Sequence, residues 1–321
     1  MAAIDVGSNT IHLLVATVAP GGLTGRRHAV VLARLGRRVA ADGRLGTAAV
    51  AATAETVARL VGLAREAGAA RVWLAATEAV RRAADREDLV EAVRARCGLG
   101  LRILSGEEEA RLSFRGATAG GVGTETEVVM FDCGGASTEI VLGRGAGVLA
   151  ALSLPIGSDA VVQRHGFQDP PSPSDRAAAA RTIARALEGA PPGSPSVGVA
   201  TGGTAANLPI LLGHPRPRTG EGTGELGPAI ADRPVTLSTA ELVRAQAVTD
   251  GAASAAVAAA TGLHPERARL LAGGTQLLAA LARHYRLADL TVTERGLRDG
   301  MLLEALAAEG GAPPRRDDPV P

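Results

Sequence analysis

A short motif occurs twice in the chain, and this repetition constrains the fold more than any other feature. The stretch "IDVGSNTIHLLV" at residues 4–15 aligns with "FDCGGASTEIVL" at residues 131–142. In both copies an apolar residue and an aspartate precede a glycine, a small pair and a hydroxyl residue, and the chain then re-enters an apolar strand. Each copy therefore predicts two strands joined by a tight turn, and the repeat predicts two similar domains.

Strands and helices alternate after each copy of the motif. The strand "RVWLAAT" and the amphipathic helix "DREDLVEAVRARCG" follow the first copy, and the strand "GVLAALSL" follows the second. This order favours an α/β fold with helices on the faces of the sheet. The small-residue stretch "ATAGGVGTETE" near Thr118 is typical of a domain crossing. Proline-containing breaks at 168–175 and 214–234 predict surface loops, and the tail at 312–321 is expected to be disordered.

The two hairpins suit phosphate binding. A Gly/Ser/Thr-rich turn can aim successive backbone N–H groups into one concavity, and small side chains let a phosphate approach the backbone. The aspartates before the turns, Asp5 and Asp132, can hold a hard cation. A single such hairpin is also what an ordinary tight turn looks like, but two copies, each opening an α/β half, favour a phosphate site. Hydroxyl donors come from Ser8, Thr10, Ser137 and Thr138.

A third loop, "VATGGTAANL" at residues 199–208, predicts a strand that enters a helix through Gly202, Gly203 and Thr204. The N-terminus of that helix offers another anion site. A plain helix cap by Thr204 is the alternative.

Acidic residues open a predicted helix in "ILSGEEEARLSF". Ser105 and Glu108 fit a capping box, and Glu107 favours the positive end of the helix dipole. Glu109 needs neither role, which leaves it either on a solvated helix face or free for chemistry.

Composition and charge exclude several classes of protein. A formal net charge of +1 argues against a strongly basic nucleic-acid binder. Cys97 and Cys133 lie far apart and predict neither a disulfide framework nor a zinc site. The N-terminus lacks the features of a signal peptide and no run has the length of a membrane span, so a cytoplasmic protein without a membrane partner is expected.

Several motifs in order resemble the Ppx/GppA phosphatase family, and within it the exopolyphosphatases, over nearly the whole chain. They are "AIDVGSNTIHLLVA", "ATEAVRRAADR", "ILSGEEEARLSFRGA", "VVMFDCGGASTEIVLG", "SLPIGSDAVV", "ATGGTAANL" and "VTERGLRDGML". The resemblance extends to the superfamily of actin, Hsp70 and the sugar kinases. It implies two actin-like (ribonuclease H-like) α/β domains with an interdomain active-site cleft, the first formed by residues 1–117 plus 296–321 and the second by 118–295. A further helical domain found in longer relatives is not expected.

The same resemblance implies roles for individual residues. Glu109 matches the catalytic base of the family, Arg81 an arginine that contacts phosphate, and Glu139 an acid that helps to hold metal or water. A divalent metal, Mg²⁺ or Mn²⁺, is implied near Asp132, and the chemistry of the first hairpin adds Asp5 as a further candidate ligand. The phosphate-binding residues are then Gly7, Ser8, Asn9, Thr10, Gly134, Gly135, Ala136, Ser137, Thr138, Gly203 and Thr204.

The function implied is metal-dependent release of orthophosphate from the ends of inorganic polyphosphate. A guanosine pentaphosphate phosphohydrolase shares every motif, and a non-hydrolysing sensor of a phosphorylated ligand is a third alternative; a homodimer is an expectation for the family. Ala136 replaces a family glycine, so its effect depends on the sign of its φ. We expect His12 and Cys133 to be structural, and Arg298 either matches a family motif or braces the last helix.

Overall fold

The computed structural model describes residues 1–19, 22–121, 125–214, 224–229 and 233–308 of the chain. Its strands are β1 (Ala2–Val6), β2 (Thr10–Ala19), β3 (Gly22–Leu32), β4 (Val72–Ala76), β5 (Leu101–Ile103), β6 (Glu127–Cys133), β7 (Thr138–Arg144), β8 (Gly147–Leu154), β9 (Val197–Thr201), β10 (Val235–Ser238) and β11 (Asp289–Val292). Its helices are α1 (Leu35–Asp42), α2 (Thr47–Glu66), α3 (Glu78–Arg82), α4 (Arg86–Cys97), α5 (Gly106–Thr118), α6 (Ser158–Arg164), α7 (Pro173–Leu187), α8 (Gly202–Leu211), α9 (Thr239–Gly251), α10 (Ser254–Thr261), α11 (Pro265–His284) and α12 (Leu297–Ala308).

Two predicted features fall wholly or partly outside the described residues: the tail at 312–321 and most of the loop at 214–234. The other predicted loop, at 168–175, ends in a helix start. Ser172 caps α7 there, and its side chain and that of Asp175 form a capping box.

The described residues form two compact units. Among the described residues, the first draws on 1–19, 22–105, 224–229 and 297–308, and the second on 106–121, 125–214 and 233–296. Helix α5 belongs to the second unit, whereas the sequence-based boundary at residue 118 left it with the first. Its Phe114 and Ala117 pack with Met130 and Val141 of the second sheet, because the apolar face of an amphipathic helix must be buried against some sheet and the sequence does not say which.

The first unit is built on a five-stranded sheet in the order β3-β2-β1-β4-β5. Strand β1 is antiparallel to β2 and parallel to β4. Alternate residues of β1 face opposite sides of the sheet: Ile4 and Val6 pack in one core with α2 and α4, so Asp5 faces the other side. Helix α12 covers that other side and contacts β1, β2 and β3.

The second unit is built on a six-stranded sheet in the order β10-β11-β9-β6-β7-β8. The run β8-β7-β6-β9-β11 repeats the order β3-β2-β1-β4-β5 of the first sheet. Phe131 and Ile140 face a core that includes α7, α8 and α11. Met130 and Val141 face α5. The predicted α/β class, with two similarly built domains, is therefore observed.

Among the described helices, one, α2, is long and apolar enough to span a membrane by length and composition alone. The sequence had predicted no stretch of that length. Its Val50, Val57, Leu60 and Val61 are buried in the core of the first unit. A buried core helix passes the same test of length and composition, so the apolar composition of α2 is weak evidence for a membrane span.

Candidate active site

Both predicted hairpins are present and their turns have the same hydrogen bond. The Gly7 amide donates to the Thr10 carbonyl over 3.0 Å, and the Gly134 amide donates to the Ser137 carbonyl over 3.1 Å. A Cβ added at Gly7 or Gly134 would lie only 3.1 or 3.2 Å from those carbonyl oxygens. The close approach of the backbone within each turn therefore favours glycine at both positions.

The tip of the second hairpin is held from behind by the start of α6. The Ser158 amide donates to the Gly134 carbonyl and the Asp159 amide to the Gly135 carbonyl, each over 2.9 Å. The amides of Gly135 and Ala136 have no acceptor among the described residues. A turn whose carbonyls are satisfied and whose amides are available is a preorganised anion site.

The tip of the first hairpin is held in a similar way. The Gly36 amide donates to the Ser8 carbonyl over 2.7 Å, and the Ala33 amide donates to the Asn9 carbonyl over 2.9 Å. The Asn9 side chain is 7% exposed, and no described residue provides a hydrogen-bond partner for its Nδ2 or Oδ1. A buried amide without a partner is costly, so a bound anion would gain a donor that is already desolvated.

Ala136 has an ordinary backbone conformation. In the described ranges, Arg34 and Arg286 are the non-glycine residues with a positive φ. The methyl group of Ala136 therefore adds no backbone strain to the turn.

Two carboxylates lie side by side beneath the second hairpin. Asp132 of β6 is directly opposite Glu139 of β7, so their side chains share the face that α5 covers. Ser113 of α5 donates from Oγ to Asp132 Oδ2 over 2.6 Å, and Ser153 donates from Oγ to Glu139 Oε1 over 2.8 Å. Each carboxylate is thus oriented by a serine from a neighbouring element.

Glu109 lies on the same helix as Ser113, one turn earlier. Residues four apart share a helix face, with Cβ atoms about 5–6 Å apart, so Glu109 is on the side of α5 that reaches Asp132. Its residue is 7% exposed, which makes the solvated-face alternative wrong. A carboxylate is seldom buried without a role or a partner. The predicted base and the serine that donates to Asp132 therefore share one face of α5.

The N-terminus of α8 adjoins this group. Gly202 has φ +87°, and a Cβ there would lie 2.6 Å from Asp132 Oδ1. No side chain caps α8, because Thr201 Oγ1 donates instead to the Arg295 carbonyl over 2.6 Å. The cap lies at Thr201, so the alternative of a cap by Thr204 is wrong. The helix start keeps amide donors for an anion.

Arg267 of α11 reaches the same helix start. A Cβ added at Gly203 would lie 2.6 Å from Arg267 Nη1. A guanidinium beside the amides of a helix N-terminus strengthens an anion site.

The hydroxyls of Thr138, Thr204 and Ser137 are buried, and that of Thr138 has a partner outside the turn. Thr138 is fully buried and donates to the Ile156 carbonyl over 2.7 Å. Thr204 is 4% exposed and packs against Gly274. Ser137 is 5% exposed at the turn.

In the first unit, Arg81 and His12 are held by neighbours. Arg81 of α3 donates to the Leu104 carbonyl over 2.6 Å and forms an ion pair with Glu78. Thr10 Oγ1 and His12 Nε2 share a hydrogen bond of 2.6 Å.

The acids of the second unit suit a hard cation. In the described part of the chain, no three His, Cys, Asp or Glu side chains form a cluster that could hold a metal by themselves. Mg²⁺ does not need one, since it commonly takes one or two carboxylates, water and substrate phosphate. The oxygen pair of Asp132 and Glu139, beside a turn with free amides, fits that mode of binding.

Comparison with known protein families agrees with this architecture. Residues 14–309 match the Ppx/GppA phosphatase family. The chain belongs to this family. It is therefore a phosphatase, and the enzyme class expected from the sequence is confirmed.

Relatives of this Ppx/GppA phosphatase align over nearly their full length. It is 32% identical over 319 residues to Exopolyphosphatase 2 of Mycobacterium tuberculosis, with 94% of this chain and 97% of that protein covered. The crystal structure of the Aquifex aeolicus Ppx/GppA family member is 26% identical, with a TM-score of 0.79 and coverage of 97% and 98%. An exopolyphosphatase from Cytophaga hutchinsonii, 21% identical with a TM-score of 0.83 and coverage of 96% and 97%, shows the fold alone. The predicted pair of actin-like α/β domains is confirmed.

Sequence reasoning missed two residues of this candidate site, Ser113 and Arg267. It correctly excluded Cys133 as a nucleophile. Arg267 lies in none of the motifs, and Ser113 lies within "ILSGEEEARLSFRGA" but was assigned no role there; its i, i+4 spacing from Glu109 is the signal that points to it. Cys133 is fully buried, and burial together with the charge of Asp132 raises the pKa of its thiol well above the usual range. A thiol held protonated in this way is no nucleophile.

Proposed function

We propose that this Ppx/GppA phosphatase is an exopolyphosphatase, which hydrolyses the terminal phosphoanhydride of inorganic polyphosphate and releases orthophosphate in the presence of Mg²⁺ or Mn²⁺. The observation that carries the proposal is the buried Glu109, one helix turn from a serine that is hydrogen-bonded to Asp132. The name of the Mycobacterium tuberculosis relative supports the choice of substrate.

Phosphate oxygens would be bound mainly by backbone amides. The tip amides of Gly135 and Ala136 and the start of α8 supply donors that need no reorganisation when the substrate arrives. Arg267 adds a fixed positive charge. A polyanion gains from such donors, whereas a neutral ligand would leave them unsatisfied.

Asp132 and Glu139 would hold the divalent cation. The cation supplies charge neutralisation to the phosphoryl oxygens when it is bound. Ser113 and Ser153 fix the orientation of the two carboxylates.

Glu109 would orient a water molecule and accept its proton. The water oxygen forms a bond to the terminal phosphorus, the bridging P–O bond breaks, and the shortened polyphosphate leaves with the bonding electron pair. The proton resides on a carboxylate oxygen of Glu109 until it passes to solvent or product. A positioned base of this kind contributes about 10²- to 10⁴-fold in rate.

The test measures orthophosphate release by the wild-type protein from short polyphosphate, long polyphosphate, guanosine pentaphosphate and ATP, each with Mg²⁺ and with EDTA. We expect release from polyphosphate that EDTA abolishes. Preference for guanosine pentaphosphate would assign the alternative hydrolase activity. Tight binding of these anions without release from any of them would assign a sensor and refute the enzymatic proposal.

A further inference from the structure

Helix α12 has the same place in the first unit that α5 has in the second. Helix α5 contacts β6, β7 and β8, and α12 contacts β1, β2 and β3. Each helix covers the face of the sheet to which the aspartate before the hairpin points. Asp5 and Asp132 are therefore equivalent positions, and the residue that each helix presents to its aspartate can be compared directly.

The first turn of α12 is anchored by a buried ion pair. Asp299 accepts from Arg26 Nε at 2.8 Å and from Arg26 Nη2 at 3.0 Å. Arg26 is 2% exposed and Asp299 is fully buried. A bidentate pair of this kind fixes both distance and orientation, so the start of α12 has one position on the sheet.

The residue before this anchor faces the hairpin aspartate. Arg298 Nη1 lies 3.9 Å from Asp5 Oδ2, and the two side chains are 17% and 15% exposed. At the equivalent place in the second unit, Asp132 accepts a hydrogen bond from the Ser113 hydroxyl. Asp5 therefore lies beside a permanent positive charge, whereas the hydrogen bond to Asp132 Oδ2 comes from a neutral donor.

Two guanidinium groups and two carboxylates form ion pairs around Asp5. Arg26 and Arg298 oppose Asp5 and Asp299. His28 adds no charge, since burial and then the neighbouring Arg298 and Arg26 lower its pKa to about 2. A divalent cation on Asp5 would lie close to the Arg298 guanidinium in a largely buried place, where repulsion between like charges is weakly screened.

We propose that Arg298 is a positioning residue that pairs with Asp5, so that the first hairpin binds phosphate without a cation and the divalent cation is confined to Asp132 and Glu139. This differs from the sequence-based expectation that Asp5 is also a metal ligand. The inference rests on the proposed function for its second test but not for its first.

The first test measures Mn²⁺ binding by electron paramagnetic resonance in the presence of saturating methylenediphosphonate, which is not hydrolysed. We expect wild type and Asp5→Asn to bind Mn²⁺ with dissociation constants within threefold of each other. Asp132→Asn should bind at least tenfold more weakly. Equal weakening by Asp5→Asn and Asp132→Asn, or no Mn²⁺ binding by wild type, would overturn the proposal. Because no turnover is measured, this outcome is independent of whether polyphosphate is the substrate.

The second test compares kcat and KM for polyphosphate. Arg298→Gln should raise KM at least tenfold, Arg298→Lys should restore part of the loss, and Asp5→Asn with Arg298→Gln should lose less than the product of the single losses. Arg102→Gln is the matched control, because Arg102 also reaches α12, at 4.0 Å from Glu304, but is half exposed. Its KM should change less than twofold. An unchanged KM in Arg298→Gln, or the absence of any rescue by lysine, would refute the positioning role.

Discussion

Ser113 Oγ donates a hydrogen bond to Asp132 Oδ2 over 2.6 Å. This contact joins the helix that carries Glu109 to the strand that carries Asp132, the proposed cation ligand. The hydrogen bond occupies one lone pair of Asp132 Oδ2, and the other oxygen, Oδ1, lies beside the start of α8. The predicted chemistry of the second unit therefore depends on a serine to which the motif around Glu109 assigned no role.

Replacing Ser113 should impair activity more than stability. In Ser113→Ala the Asp132 carboxylate loses its orienting donor, and loss of such a partner commonly costs about 10- to 100-fold in metal affinity or activity. We expect a fall of that size in kcat/KM for polyphosphate. Thr118→Ala is the control, since Thr118 is a buried hydroxyl of the same helix that donates to the Phe114 carbonyl. An equal loss in both variants would attribute the effect to α5 packing.

Restoring the family glycine at position 136 should not raise activity. Because Ala136 has no positive φ, Ala136→Gly relieves no strain and gives the unfolded chain more freedom. We expect kcat/KM to stay within about threefold and the free energy of unfolding to fall by about 0.4–1 kcal/mol, measured by urea denaturation. A tenfold gain in kcat/KM would show that the alanine methyl group obstructs the phosphate.

Asp85 should stabilise the first unit in a pH-dependent way. Its two carboxylate oxygens accept from the amides of Leu45 and Gly46, each over 2.8 Å, just before α2 begins. Burial alone would raise the pKa of Asp85, but these hydrogen bonds lower it below its ordinary value of 3.8. The contribution to stability is then complete above pH 3.8 and is lost as the pH falls through the lowered folded-state pKa.

Asp85→Asn should therefore lower the free energy of unfolding at pH 7 by about 1.5–3 kcal/mol, because an amide oxygen can accept one of the two bonds and its NH₂ group opposes the other. The difference from wild type should shrink when urea denaturation is repeated below pH 3.8. Asp42→Asn, at an exposed site of the same unit, should change stability by less than about 0.5 kcal/mol. A difference that stays constant with pH would show that packing and not the charge is responsible.

Local patterns predicted the hairpins, the fold class and the burial of Cys133. The repeated motif around Asp5 and Asp132 was sufficient to predict both hairpins, because the turn between two strands is specified by residues close in sequence. The end of α2 follows a local rule as well, because glycine is the residue that most readily takes the left-handed conformation after a helix, and Gly68 has φ +84°.

Contacts between elements distant in sequence were not predictable. The position of α5 on the second sheet and the approach of Arg267 to Gly203 depend on how helices pack after the sheets form. The pairing of Arg298 with Asp5 depends on a helix from the far end of the chain that returns to the first sheet. A single sequence carries no local signal for such contacts.

The most direct test of the account compares Glu109→Gln with Glu107→Gln. Both residues lie in the first turn of α5, but Glu109 is buried and Glu107 is exposed. For polyphosphate with Mg²⁺, Glu109→Gln should lower kcat by about 10²- to 10⁴-fold while methylenediphosphonate binding stays within threefold, and Glu107→Gln should retain wild-type kcat. Wild-type kcat in Glu109→Gln would contradict the assignment of Glu109 as the base.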